Sequence, residues 1–369
     1  MGNRTLYFVL SADNGKSVFV TKDGDMRIPE FPEMVDHHIG LENPHVYNRW
    51  FEQAYGIPVF RRYIIELEDM DSTIFLFELV DPSIGLQTGE FVPSVRVAAL
   101  YDANPFLQNV LMNLSEDYSK SELMPWVGTD GYTPYLEWMS AEMRHRNMTV
   151  NGEIQQIKNA FVSTVFRCPT NQGDFYMKIP GSAYIREIAM TNRVREWGIA
   201  KLPEWVAADV PLNVFLMSDM GGYDLPADSA FDLLGSVIDQ WAQLQIDALP
   251  FLNHEAPYPF YDLRLPVLRK KLDELVDEGM CLLDGSPYEL KAEEISLLRS
   301  RQSHFSDVLG EIEKYPIPDS VDHGDLRPGN IRVTSNGWKQ PLSSSADAST
   351  LERRQYYYAH VLRRVISGS

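Results

Sequence analysis

The pattern of apolar residues changes character once along this chain, and that change limits the folds open to it. Up to Ser218 the sequence is built mainly of short β-prone runs. Beyond the pair Gly221-Gly222 it reads as long helical stretches. Alternation at every second residue fits a strand with two faces, whereas recurrence every three to four residues fits one face of a helix. A strand-rich part followed by a helical part predicts an α+β fold.

The runs Leu6–Leu10, Ser17–Thr21, Phe60–Leu67 and Thr73–Leu79 predict strands, punctuated by the turn signals Asn14-Gly15 and Asp23-Gly24. Between them, His45–Tyr55 carries Val46, Trp50 and Phe51 at helical spacing and stops at Gly56. Asn104–Ser119 adds a helix, and Ser121–Gly131 is a connector. Tyr132–Asn147 is helical, followed by predicted strands at Thr149–Gln156, Phe161–Cys168 and Asp174–Ile179, the last two forming a hairpin through Gly173. A helix at Tyr184–Trp197 and strands at Trp205–Asp209 and Val214–Ser218 complete this part. Ala227–Ala248, Leu263–Leu283 and Tyr288–Lys314 then predict helices. The 369 residues divide into an α+β accessory domain over 1–120, a strand-rich lobe with a leading helix over 121–222, and a helical lobe over 223–369.

Charge narrows the partners. Lys and Arg number 33 against 52 Asp and Glu, for a net charge of −19. Such a chain repels phosphodiester backbones and anionic lipid, which predicts neither nucleic-acid nor membrane partners and is compatible with a cationic small molecule. Cys168 and Cys281 are the only cysteines, too few for a disulfide framework or a zinc cluster. No apolar run approaches the ~18 residues of a membrane span. The expected compartment is a reduced cytoplasm.

The segment Val321-Asp322-His323-Gly324-Asp325-Leu326-Arg327-Pro328-Gly329-Asn330-Ile331-Arg332-Val333 carries the chemistry. It sets an Asp and an Asn on one Gly- and Pro-bearing loop ahead of an apolar run. Phosphoryl transfer needs an oriented acceptor hydroxyl and metal ions that neutralise phosphate charge. A carboxylate accepts the hydroxyl proton and an amide oxygen holds Mg²⁺.

This loop resembles the catalytic loop of the aminoglycoside phosphotransferase/choline kinase family, His-Gly-Asp-x-x-x-x-Asn, at every fixed position from His323 to Asn330. The resemblance implies a bilobal protein-kinase-like fold, with residues 121–222 as the N-lobe and 223–369 as the C-lobe. It implies an ATP-dependent phosphotransferase that moves the γ-phosphoryl group to a hydroxyl of a small molecule, with ATP and Mg²⁺ as cofactors. Asp325 would be the catalytic base, His323 its loop support and Asn330 a Mg²⁺ ligand. Lys178, on a strand after the Gly173 turn, would contact the nucleotide phosphates, and Glu187 at the next helix would orient it. A lysine guarding an exposed sheet edge and an acid favoured by a helix N-terminus are the alternatives for these two. Met217, Ser218 and Met220 fall in the interlobe hinge that meets adenine, and Ser163 falls where a phosphate-covering hairpin would turn.

Two departures qualify the resemblance. The family's second Mg²⁺ aspartate, expected after an apolar strand, has no counterpart. Asp347 is the only downstream aspartate, and it sits in a Ser/Ala-rich run where it suits an N-cap. Either the chain is a pseudokinase, binding a nucleotide or metabolite without turnover, or a segment near Gly337 has been lost. An intact catalytic loop beside a missing ligand favours the loss. The second departure lies at Arg49–Ile57, which resembles a degenerate Nudix helix. Arg49, Phe51, Gly56 and Ile57 match, whereas Trp50, Gln53 and Ala54 stand where the metal-binding carboxylates belong. That loss argues against a pyrophosphatase.

Overall fold

The computed structural model describes residues 5–21, 26–31, 43–66, 72–81, 83–86, 88–117, 124–128, 130–160, 162–199, 205–225, 231–252, 262–285, 289–322, 330–334 and 337–339. The chain folds as two compact units, Met1–Ser182 with Glu204–Asp219, and Ala183–Pro203 with Met220–Ser369. The α+β class read from the sequence is what the structure holds, strand-rich in the first unit and mainly helical in the second.

The first unit opens with β1 (Thr5–Ala12), β2 (Ser17–Thr21), β3 (Glu30–Phe31), α1 (Pro44–Tyr55), β4 (Val59–Glu66), β5 (Ser72–Leu79), β6 (Gly89–Pro93), α2 (Ser94–Ala98) and α3 (Pro105–Asp117). Its sheet runs β4-β5-β1-β2-β6, with β3 also on β1, and β1 lies parallel to β5. Helix α1 stops where the sequence predicts: Gly56 takes φ 71° and donates its N–H to the Glu52 carbonyl, a left-handed cap that glycine adopts without a Cβ clash. At the other end the Asn43 side chain accepts from the His45 N–H. The α1 face carrying Tyr47 and Phe51 packs on Phe8, Phe75 and Phe77 in an aromatic core. β3, β6 and α2 are additions to the predicted element order.

The unit continues through α4 (Thr133–His145), β7 (Gln155–Ala160), β8 (Ser163–Thr170) and β9 (Gly173–Pro180), and regains the chain at β10 (Trp205–Asp209) and β11 (Val214–Ser218). These strands form a second, antiparallel sheet in the order β10-β11-β9-β8-β7. The β8–β9 hairpin turns at Gly173 as predicted, whereas the strand expected at Thr149–Gln156 runs at Gln155–Ala160 instead. Residues on both sides of position 120 share one buried core: Val9, Ile74 and Leu107 belong to the same cluster as Trp126, Met139, Phe166 and Met177.

Cys168 is buried in this cluster with its Sγ 3.7 Å from the Met143 Sδ, and burial pushes its thiol up to about 11. Cys281 is exposed. Alkylation at about pH 8 is therefore expected to label Cys281 alone in the native chain and both thiols after denaturation. Equal rates at the two thiols in the native chain would contradict the packing.

The second unit comprises α5 (Glu187–Trp197), β12 (Tyr223–Asp224), α6 (Phe231–Ala248), α7 (Leu265–Leu283), α8 (Ala292–Ile312), β13 (Arg332–Thr334) and β14 (Gly337–Lys339). The last three-stranded sheet runs β12-β13-β14. A cluster of Val194, Leu225, Val237, Trp241 and Ile331 ties α5, α6 and the β13 approach together. α7 and α8 close a smaller cluster through Val276, Leu283, Leu290 and Leu298. No helix among the described residues is long and apolar enough to cross a membrane.

Candidate functional site

In the first unit, strand register decides which predicted residues share a face. Val165 pairs with Lys178 and Ser163 with Pro180 across β8–β9. Phe215 pairs with Lys178 and Met217 with Tyr176 across β9–β11. Because side chains alternate along a strand, Ser163, Lys178 and Met217 stand on one face of the sheet. The opposite face carries Phe166, Met177, Ile179 and Leu216 into the core. Ser218 falls on the core side of the register, at the end of β11, opposite Phe175.

Lys178 is half-buried on β9, the central strand of five. Its position removes the alternative of an edge-guarding lysine, since β9 is paired on both sides. The Lys178 Nζ lies 5.8 Å from the centroid of the Phe215 ring, and Phe215 stacks on Trp205 at 4.5 Å and 11°. A cation over an aromatic face holds its stem in place at a gain of about 0.5–1 kcal/mol. Sequence reasoning missed this aromatic pair. Both residues are visible as β-formers, but only the register of β11 against β9 brings Phe215 under the lysine. Ser163 is buried at the start of β8, directly after the 161–162 connection from β7.

The second unit holds Glu187, Met220 and Asn330. Glu187 is the first residue of α5 and is buried at 2% exposure. A surface acid placed only for the helix dipole would face water, so its burial separates it from that alternative. The chain passes from the first unit to the second between Asp219 and Met220, and Gly221 and Gly222 follow with φ 67° and 72°. Left-handed backbone at two successive positions favours glycine, which adopts it without a Cβ clash.

His323 and Asp325 lie outside the described residues, as does Asp347. The residues that flank the 323–329 segment are held firmly. Upstream, Gln245 of α6 donates from Nε2 to the Val321 carbonyl at 2.9 Å, and Ser320 Oγ donates to the Gln245 carbonyl at 2.7 Å. Downstream, Ile331 is buried in the α5–α6 cluster and its carbonyl accepts from the Leu225 N–H at 3.0 Å. Asn330 is thus fixed at the threshold of β13, half-buried.

Gly337 and Trp338, near which the sequence raises the possibility of a lost segment, belong to β14, paired antiparallel with β13 as Val333↔Trp338 and Arg332↔Lys339. The chain crosses that junction inside a regular ladder. Among the described residues no group of three or more His, Cys, Asp and Glu is placed to hold a metal ion.

At the degenerate Nudix positions, Trp50 packs against Phe8 and Phe31, while Gln53 and Ala54 are exposed. A cleft of about 670 Å³ in the first unit, between the β1–β2 turn and α4, includes Asp13, Glu78, Asp130 and Glu137. None of the residues proposed for nucleotide or metal lines it.

No family profile matches the chain, and no curated protein matches it. Among solved structures it is similar to a choline/ethanolamine kinase family protein from Mesorhizobium loti, at 16% identity over 60% of this chain and 71% of that one, with a TM-score of 0.36. It is also similar to choline kinase from Cryptosporidium parvum Iowa II, at 15% identity over 57% and 65% of the two chains, with a TM-score of 0.42. An ADP-bound aminoglycoside phosphotransferase aligns at 13% identity over 61% and 84%, with a TM-score of 0.40. These likenesses assign no substrate and no activity to this chain. The Nudix resemblance finds no support among them.

Proposed function

We propose that the chain is a small-molecule phosphotransferase that moves the γ-phosphoryl group of ATP to a hydroxyl. The observation that carries this reading is the His323–Asn330 motif, flanked by segments anchored to α6 and to the α5–α6 cluster. Asp325 accepts the proton of the acceptor hydroxyl as its oxygen bonds to phosphorus and ADP departs. His323 supports the loop. Lys178 contacts the nucleotide phosphates, Glu187 orients it, and the backbone around Met217, Ser218 and Met220 meets adenine. Ser163 belongs to the hairpin over the phosphates. Residues 121–222 serve as the nucleotide lobe, 223–369 as the lobe of the catalytic loop, and 1–120 as an accessory scaffold.

Mg²⁺, when bound, neutralises charge between the phosphates. Asn330 is the one described residue proposed to hold it, and an amide alone is a poor site for a cation that prefers carboxylates. This shortage favours a second reading, a pseudokinase that binds nucleotide without turnover. The two separate on incubating the full chain with ATP, Mg²⁺ and a library of small alcohols in which amino alcohols are well represented, given the net charge of −19. Phosphorylated product is expected from the first reading. Nucleotide binding with no product from any acceptor supports the second.

A further inference from the structure

The two sheets of the first unit meet through their edge strands, β4 and β7. Both strands break register where they meet, between Arg61 and Tyr63 in β4 and between Gln156 and Lys158 in β7. A bulge re-aims a side chain, and here it turns polar groups inward. Gln156 takes the place of a missing strand on β4. Its Oε1 accepts from the Arg61 N–H at 2.8 Å and its Nε2 donates to the Arg61 carbonyl at 2.8 Å. Asn48 of α1 donates to the same Oε1 at 3.1 Å.

Asn159 makes the second join. Its Oδ1 accepts from Arg61 Nε at 3.3 Å, its carbonyl accepts from Arg61 Nη2 at 3.1 Å, and its Nδ2 donates to the Arg62 carbonyl at 3.3 Å. Arg61 is fully buried, with its guanidinium 5.7 Å and 5.4 Å from the Tyr47 and Phe75 ring centroids. The Tyr132 hydroxyl donates to the Arg61 carbonyl and accepts from both Gln156 and Asn159. Such a network specifies one geometry because every member constrains its neighbours. Asn159 and Ala160 pair with Thr164 and Ser163, so the network ends at the β7–β8 connection itself.

We propose that Arg61, Gln156 and Asn159 are positioning residues through which the N-terminal sheet sets the β7–β8 hairpin, and that this setting governs its hold on nucleotide phosphates. The second half rests on the phosphotransferase reading; the first stands without it. On this view residues 1–120 are the foundation of the hairpin.

The test uses the full chain carrying both Arg61→Met and Asn159→Leu, which removes the buried cation together with its amide partner and so leaves neither unpaired. Gln156→Met is a second variant, and Gln172→Ala, at the far end of the β8–β9 hairpin, is the control. Amide exchange over 155–160 and 163–170 is expected to rise at least tenfold in both variants while β11 exchange holds. The KM for MgATP is expected to rise at least threefold with kcat little changed, and the control moves neither. Unchanged exchange in a folded variant overturns the proposal. Raised exchange with an unmoved KM in an active enzyme overturns its nucleotide half. Raised exchange in a chain whose wild type neither binds nor turns over ATP supports the positioning role and sinks the phosphotransferase reading alone.

Discussion

Replacing Gly131 by alanine is expected to destabilise the first unit by about 3 kcal/mol or more. Gly131 has φ 54°, and a methyl group there would overlap both the Glu78 carboxylate and the Arg62 guanidinium. Left-handed backbone costs an alanine about 1–2 kcal/mol by itself. The ion pair it would displace is nearly buried, with the two side chains 9% and 12% exposed. Breaking a pair so enclosed costs about 3–5 kcal/mol, because each charge is stranded away from water. The pair also anchors the turn into α4: Arg62 Nη1 donates to the Gly128 carbonyl, and the Tyr132 N–H donates to Glu78 Oε1. Burial, more than any other influence, pushes the Glu78 carboxyl up from its ordinary range, against the pull of Arg62. The opening free energy of β1 and β5 amides, read by native-state hydrogen exchange, should fall by that amount. Gly85→Ala, at a position with open space and no positive φ, is the matched control and should stay within about 0.5 kcal/mol.

The second large effect falls on chemistry. Asp325→Ala is expected to lower kcat by about 10²–10⁴-fold, the usual worth of a positioned base. Nucleotide affinity should move less than about threefold, because in this reading the carboxylate meets the acceptor hydroxyl and not ATP. Lys178→Met should show the converse balance, with KM for ATP raised more than kcat is lowered. A variant set in which both substitutions weaken nucleotide binding equally would argue for a merely structural loop.

Most elements were legible because their signals were local. The β10 and β11 ranges, the Gly56 stop of α1 and the Gly173 hairpin each follow from alternation bounded by a turn residue or from a glycine cap. β7 was misplaced for a physical reason. Its sequence, Gln155-Gln156-Ile157-Lys158-Asn159-Ala160, buries carboxamides where periodicity looks for apolar side chains. Both amides bond Arg61, which lies about a hundred residues away, and no pattern within β7 discloses that partner. The same limit hid Phe215 beneath Lys178, since facing residues depend on register between strands. At the candidate site, Asp325 and Asn330 were named through the resemblance of their loop to a known catalytic loop. The lack of a second metal aspartate was visible in the sequence too.

The central claim is transfer of a phosphoryl group through Asp325, and the most direct test follows the γ-phosphate itself. The full chain and its Asp325→Ala variant, both shown to bind ATP, are incubated with Mg²⁺, γ-labelled ATP and the acceptor library, and label on each acceptor is measured by mass spectrometry. The account predicts a labelled acceptor with the wild-type chain and at least a hundredfold slower labelling with the variant. Equal labelling by the two chains, or ATP binding by the wild type with no acceptor ever labelled, would contradict it.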